Sequence, residues 1–284
     1  ANNSCYNKYE AIFIRDSYNN TISDCRCYDS LYGIRALASH NSTIENNICT
    51  YNADYGIDVW YSHYTTILNN TCNNIQGSNS YAIAVVANWG PYIHNVTLKD
   101  NICNNNDGRA IYVDDAKDFV IKNNTCNNNE YGFDMNGLQY SEITENTAMY
   151  NSEEGGITLR SACSFNSIYN NTLGWNSQNN AQDTGISNSW DDGVSTGNKW
   201  GDYTGSSPTY SIYGSAESVD HYPMKADTTP PTIDGPGNYD FELDSSGNWL
   251  NWYPDDAHPE SYTILKDNVS LESDDWNGNT ISLL

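Results

Sequence analysis

The sequence predicts an all-β chain: a right-handed parallel β-helix followed by a small, incomplete β-sandwich module. Three observations predict it. A short unit recurs about every 22–29 residues up to Trp190, most clearly in residues 39–61 and 117–138. Each unit consists of β-branched and aromatic runs separated by Asn, Asp, Ser and Gly, with no 3.6-residue apolar stripe. Residue types also repeat in columns from one unit to the next. A leucine-rich repeat would show a Leu ladder and a propeller blade would be longer, so each unit reads as one coil of a β-helix.

The columns define the coil. One apolar column runs through Ile12, Ile34, Ile57, Ile83, Ile111, Phe133, Ile157 and Ile186, and a second through Ile22, Ile44, Ile67, Leu98, Ile121, Ile143 and Ile168. Coils stack about 4.8 Å apart, so equivalent residues touch. Asn47, Asn70, Asn101, Asn124, Asn146 and Asn171 form a third column, expected to take left-handed turn geometry and to bond one another along the axis. Tyr32, Tyr55, Tyr81 and Tyr131 line one edge.

Cys5, Cys27, Cys49, Cys72, Cys103 and Cys126 form a further column, continued by Ala148 and Leu173 and therefore apolar and inward. A Cα spacing of about 4.8 Å falls within the roughly 4.4–6.8 Å range of disulfides. A disulfide ladder (Cys5–Cys27, Cys49–Cys72, Cys103–Cys126) and a ladder of buried thiols behaving as small hydrophobes are both open on the sequence. Cys25 and Cys163 lie outside the column.

The chain carries 12 basic and 36 acidic residues, a net charge of −24. That excludes nucleic acid as a partner, since phosphate binding needs a basic surface. No 18-residue apolar run is present, so no membrane span is expected. Eight cysteines in an Asn- and Tyr-rich chain point to export, to the extracellular space or cell surface. A start at Ala rather than Met reads as a processed product. Asn2, Asn19, Asn41, Asn69, Asn95, Asn123, Asn170 and Asn268 open Asn-x-Ser/Thr sequons and are the expected carriers of N-linked glycans.

The repeat stops near Trp190. Gly197-Asn198-Lys199-Trp200-Gly201-Asp202-Tyr203 follows, then Asp220-His221-Tyr222-Pro223. With the repeats, this segment resembles the NosD-type parallel β-helix repeat proteins, abundant on archaeal cell surfaces. The resemblance covers most of residues 1–225 and implies that the terminal Trp-Gly-Asp-Tyr segment and the later Asp220-His221-Tyr222-Pro223 close the array. The family name refers to copper handling, but the repeat is shared by non-copper surface proteins and sugar-active enzymes. Residues 226–232 read as a stiff, extended linker. Strand-like runs at 239–243, 249–253, 262–266 and 280–284 then resemble the start of an immunoglobulin-like or fibronectin-type module, which needs about seven strands. An uncapped first coil and a module of about 50 residues, half the usual size, suggest self-assembly, head-to-tail into a homopolymer or by strand complementation.

For chemistry, the weak catalytic candidates are Asp58, Asp114, Asp115 and Asp134, with Glu153 and Glu154 nearby in sequence. Arg35 and Asp58 share a column one coil apart and read as a surface ion pair of small worth. Asp134 lies three coils from Asp58, about 14 Å, beyond the roughly 5–9.5 Å of paired glycosidase carboxylates. Asp114 and Asp115 are adjacent and should face opposite sides of a strand. Tyr55-Gly56-Ile57-Asp58 resembles a segment of the alginate epimerases, with Val59 and Trp60 where that family carries Pro and His. His40, His63 and His94 should stack on successive coils as a weak metal candidate; one ion at about 2.0–2.1 Å from all three would require them to converge. No cofactor is required, and calcium near Asp191, Asp192 and Asp202 is the one that the acidic surface admits. Three functions compete: a structural subunit of a sheath, surface layer or filament; a polysaccharide lyase or hydrolase; and a glycan-binding module using Trp60, Trp89 and Tyr112.

Overall fold

The computed structural model describes residues 3–87 and 90–226, and beyond them the strands Thr232–Asp234, Leu250–Asp255, Ser261–Lys266, Val269–Asp275 and Ile281–Leu283. Asn2, Trp89, Asn268 and the segments 227–231 and 239–243 lie outside the described residues. The chain divides into two compact units, residues 1–226 and 227–284.

The first unit is a parallel β-helix with three sheets. The largest, of nine strands, stacks Glu10–Tyr18, Tyr32–His40, Tyr55–Trp60, Tyr81–Val86, Arg109–Lys117, Tyr131–Gln139, Ile157–Leu159 and Ala181–Asp183 in that order, with the short strand Ile93–His94 also paired to Arg109–Lys117. A seven-stranded sheet runs from Thr21–Ser23 to Ser167–Tyr169. The third runs from Ser4–Tyr6 to Thr71–Asn73 and again from Thr147–Met149 to Met224–Lys225, joined by bridges through Ile102 and Thr125.

The corners explain the composition. Each early coil turns at three non-glycine residues with φ near +50 to +60°, among them Asn19, Asn41 and Asn95 at one corner, Asp24, Asn46, Asn69 and Asp100 at the next, and Asn7, Asp29 and Asn74 at the third. Short polar side chains that bond locally make Asn and Asp the residues best suited to this conformation. The sequence assigned it to the wrong Asn. The left-handed residues Asn46, Asn69 and Asn123 sit one position before Asn47, Asn70 and Asn124, which are buried and bond coil to coil. Asn101 Nδ2, for example, donates to Asn124 Oδ1 at 2.9 Å, and Asn124 Nδ2 to Asn146 Oδ1 at 2.9 Å.

Both apolar columns stack in register as expected, up to Ile157 in the first and Ile168 in the second. The last member of the first column is corrected. Ala181, not Ile186, pairs with Ile157, and Ile186 is 62% exposed. The smaller Ala fits where Trp190 and Trp200 fill the end of the core.

The cysteines also stack in register, Cys5 on Cys27 on Cys49 on Cys72. The disulfide ladder is corrected: all eight cysteines are free thiols. In-register parallel neighbours keep their Cβ atoms about as far apart as their Cα atoms, near 4.8 Å, which exceeds the ~3.8 Å mean Cβ separation of a disulfide. Each thiol from Cys27 to Cys126 instead hydrogen-bonds the next. Burial and these bonds hold the Cys72 and Cys103 thiols well above the ordinary range.

The array closes on Asp220. Its carboxylate accepts from the Asn198 amide at 2.7 Å, from the Trp200 indole at 2.9 Å and from the Tyr222 amide at 2.9 Å, ending the Asn ladder. In the second unit, Thr232–Asp234, Leu250–Asp255 and Ile281–Leu283 form one antiparallel sheet. Ser261–Lys266 and Val269–Asp275 form a hairpin. Residue 232, expected in the linker, begins a strand, and Val269–Asp275 is a strand that the sequence reading did not place.

Candidate functional site

The outer face of the largest sheet gathers the unusual side chains. Pairing in the sheet aligns Phe13, Arg35, Asp58, Ala84, Tyr112, Asp134 and Thr158 in one outward column. Beside it run Glu10, Tyr32, Tyr55, Tyr81, Arg109 and Tyr131. Tyr32, Tyr55 and Tyr81 stack with centroids 4.9 and 5.0 Å apart. Sequence reasoning missed that Arg109 continues the tyrosine column. Its guanidinium lies 4.5 Å over Tyr131 and 5.5 Å over Tyr81, so a cation fills an aromatic rung. Arg35, in the neighbouring column, sets its guanidinium 4.6 Å over Tyr32.

Two carboxylates anchor these arginines. Asp134 is bound by Arg109 Nε at 2.7 Å and by Arg160 through Nε at 2.7 Å and Nη2 at 3.0 Å; Arg160 also holds Glu154 at 2.9 Å. The bonds to Asp134 hold the Arg160 guanidinium above its ordinary range. Asp58 pairs with Arg35, as the register predicts, but the reading of a surface pair is corrected: the Asp58 side chain is 1% exposed.

This second centre is incompletely bonded. Arg35 Nε lies 3.0 Å from Asp58 Oδ2, yet the angle closes no hydrogen bond. Both Asp58 oxygens, Arg35 Nε and the Trp60 indole nitrogen are buried without a hydrogen-bond partner. Burial pushes the Asp58 carboxyl up to about 7, with Arg35 and the nearby Trp60 indole pulling the other way.

The other candidates separate. Asp58 and Asp134 are three coils apart, as expected, so they do not form a pair. Asp114 shares the face and accepts from Asn136 Nδ2 at 2.5 Å. Asp115 does not simply alternate to the opposite side; it occupies a left-handed kink at φ 52° within its strand. Tyr112, beside both Asp114 and Asp134, has its phenol raised by burial and then by those carboxylates. Glu153 accepts a contact from Gln178 Nε2 at 3.4 Å, away from the arginines.

The histidines stack as expected, with centroids 5.0 Å apart for His40–His63 and 5.7 Å for His63–His94. They do not form a chelating set. His40 Nδ1 accepts the His63 amide at 3.1 Å and His63 Nδ1 accepts the His94 amide at 3.1 Å, so these lone pairs are engaged, and parallel rings aim their remaining nitrogens side by side. No group of three His, Cys, Asp or Glu among the described residues could hold a metal ion. The acidic loop is similarly occupied. Asp192 Oδ1 accepts three backbone amides, Asp191 accepts from Gly193 and His221, and Asp202 accepts from Asn180 and Tyr210.

The sequence profile of the family described as periplasmic copper-binding protein (NosD) matches residues 1–94 and 91–205. The chain belongs to the NosD family. Among solved structures, this NosD protein is similar to the A-module of mannuronan C-5 epimerase AlgE4 from Azotobacter vinelandii, at 18% identity and a TM-score of 0.53, covering 78% of this chain and 62% of that one. The AlgE6 A-module from the same organism is similar at 15% identity, with the same TM-score and coverage. At such identities the likeness is one of fold, and the chain spans 62% of each module's length. No significant match among curated protein sequences accompanies these. The copper of the family description does not fit the described residues of this NosD chain, because its histidine column is hydrogen-bonded and its cysteine column, apart from the half-buried Cys5, is sealed in the core. No helix among the described residues is long and apolar enough to cross a membrane.

Proposed function

We propose that this NosD protein is a rigid glycan-binding β-helix working outside the cytoplasm, and that it holds a polysaccharide on the outer face of its largest sheet without turning it over. The observation that carries this reading is the buried Arg35–Asp58 ion pair at 3.0 Å, whose atoms, with the Trp60 indole nitrogen, fall short of closed hydrogen-bond geometry on the outer face of the sheet. Native folds rarely leave buried donors and acceptors unpaired. Sugar hydroxyls donate and accept at once, and the Arg35 guanidinium, partly exposed above the buried carboxylate, is the group they would reach. The coil spacing of about 4.8 Å also approaches the rise of one sugar in an extended β-linked chain. The stacked tyrosines present ring edges rather than faces, so recognition rests on hydrogen bonds more than on stacking. Turnover is disfavoured by Asp134, whose oxygens are both held by arginines.

Glycan-array screening followed by calorimetry tests this. Arg35→Ala, checked for folding by circular dichroism, should weaken the selected glycan about tenfold or more, the loss of a charge-assisted bond. Absence of any bound glycan, or release of new sugar ends on incubation, would overturn the reading.

A second reading, a sheath, layer or filament subunit built from this chain, is favoured by the second unit. Its described strands make a three-stranded sheet and a hairpin whose outer edges have no partner among the described residues, and such edges accept another strand. Light scattering across a concentration series decides it; a constant monomer mass removes it. The sequons at Asn19, Asn41, Asn69, Asn95 and Asn123 occupy exposed corners, which supports glycan attachment there, and an intact-mass measurement tests it.

A further inference from the structure

A groove of about 820 Å³ crosses the seven-stranded sheet, away from the arginine-bearing face. Its floor is the outward column Val120, Glu142, Ser167 and Ser189, paired coil upon coil. Tyr140 and Phe165 form one wall. Their rings stack 5.2 Å apart at 5° and are 56% and 50% exposed. The residues that flank them at the same left-handed corner are Asp118 and Ser187, too short to cover the outer ring faces. Tyr169 forms the other wall and donates its hydroxyl to Glu142 Oε1 at 2.5 Å. The Asp191–Gly193 turn closes one end. It is held rigid by three amides on Asp192, which pull that carboxyl down to about 2.

The walls are apolar and the fixed charge is uniformly negative. Asp118, Glu142, Asp191 and Asp192 line the groove, and none of its lining residues is Lys, Arg or His; His94 reaches Asp118 at 3.6 Å and His221 holds Asp191 at 2.8 Å from outside it, which leaves Glu142 and Asp192 as the open carboxylates. Charge complementarity therefore selects a cationic occupant. A peptide could not join by strand addition here, since Glu142–Thr144 is already paired on both sides. We propose that this groove binds a hexosamine oligosaccharide bearing free amines. The exposed ring faces pack on the sugar's C–H surface, Ser167 and Ser189 meet its hydroxyls, and the free oxygens of Glu142 and Asp192 meet its ammonium groups.

The test titrates the full chain with glucosamine oligomers and with their N-acetylated counterparts by calorimetry. The free amine should bind at least tenfold tighter, and binding should weaken as salt rises. Phe165→Asn suits the left-handed corner and Glu142→Gln preserves shape; each should weaken binding several-fold or more with an unchanged circular dichroism spectrum. Arg35→Ala should leave it unchanged, which separates this groove from the glycan face of the largest sheet. Absence of binding at millimolar oligomer, equal binding of the acetylated form, or full affinity in both groove variants would overturn the proposal. Oligolysine binding as tightly as the amino sugar would also overturn it, by reducing recognition to charge.

Discussion

Asn123 and Asn124 are neighbours in sequence with opposite roles. Asn123 turns the chain at φ 52° in solvent, and Asn124 is a fully buried rung. Asn124 Oδ1 accepts the Asn101 amide at 3.0 Å and the Asn101 side chain at 2.9 Å, and its own Nδ2 donates to Leu98 O at 2.9 Å and Asn146 Oδ1 at 2.9 Å. Asn124→Ala leaves several of these groups orphaned and should cost on the order of 3 kcal/mol in urea unfolding. Asn123→Gly should change stability by less than about 1 kcal/mol, because Gly accepts the same φ. Asp58 sets a pH dependence. Its folded carboxyl, near 7, binds a proton more tightly than the ordinary 3.8. The stability it contributes is fully present below about pH 4 and is lost as pH rises through 7. Asp58→Asn should therefore flatten the fall in unfolding free energy between pH 4.5 and 8, by roughly 2–4 kcal/mol. Parallel pH curves for variant and wild type would refute this.

The thiol column behaves as an element. Cys27, Cys49, Cys72, Cys103 and Cys126 are fully buried, and in the first four burial and the bonds between neighbours raise the thiol, so the thiolate needed for reaction is scarce there. In the folded protein these five should resist a thiol reagent for hours and react at once in denaturant; rapid labelling of the native chain would contradict the sealed core. The glycine column beside it is as tight. A Cβ at Gly56 would meet the Ala82 carbonyl oxygen at 2.5 Å and Cys72 Cβ at 3.1 Å. Gly56→Val should cost roughly 1–3 kcal/mol or more through overpacking. Much of this was legible in the sequence, because the coil period places equivalent residues over one another. Arg109 was not recognised as a rung, because a cation breaks the residue-type pattern while preserving the stacking.

For the first unit as a whole, each coil contacts mainly the coils before and after it, so a local lesion should stay local. Hydrogen exchange in Asn124→Ala should accelerate around residues 98–101 and 143–146 and leave the early coils near Ile22 at wild-type rates. Uniform acceleration would show global cooperativity instead. The net charge of −24 adds a long-range term. Screening its self-repulsion should raise the melting temperature as NaCl goes from about 10 mM to 0.15 M, where the Debye length falls from roughly 30 to 8 Å.

The sequence by itself determined the coil and its axial neighbours, and the closing Trp-Gly-Asp-Tyr segment was implied by the resemblance to the NosD repeats. A stacked repeat writes its vertical contacts as a period, and a period is readable. Only the tertiary structure decided what lies sideways. It buried Asp58 beneath its neighbours, kept the cysteines as thiols, set three histidines parallel rather than convergent, and opened a groove between Tyr140, Phe165 and Tyr169. Those outcomes depend on corner angles and side-chain volumes across sheets, which no spacing along the chain records.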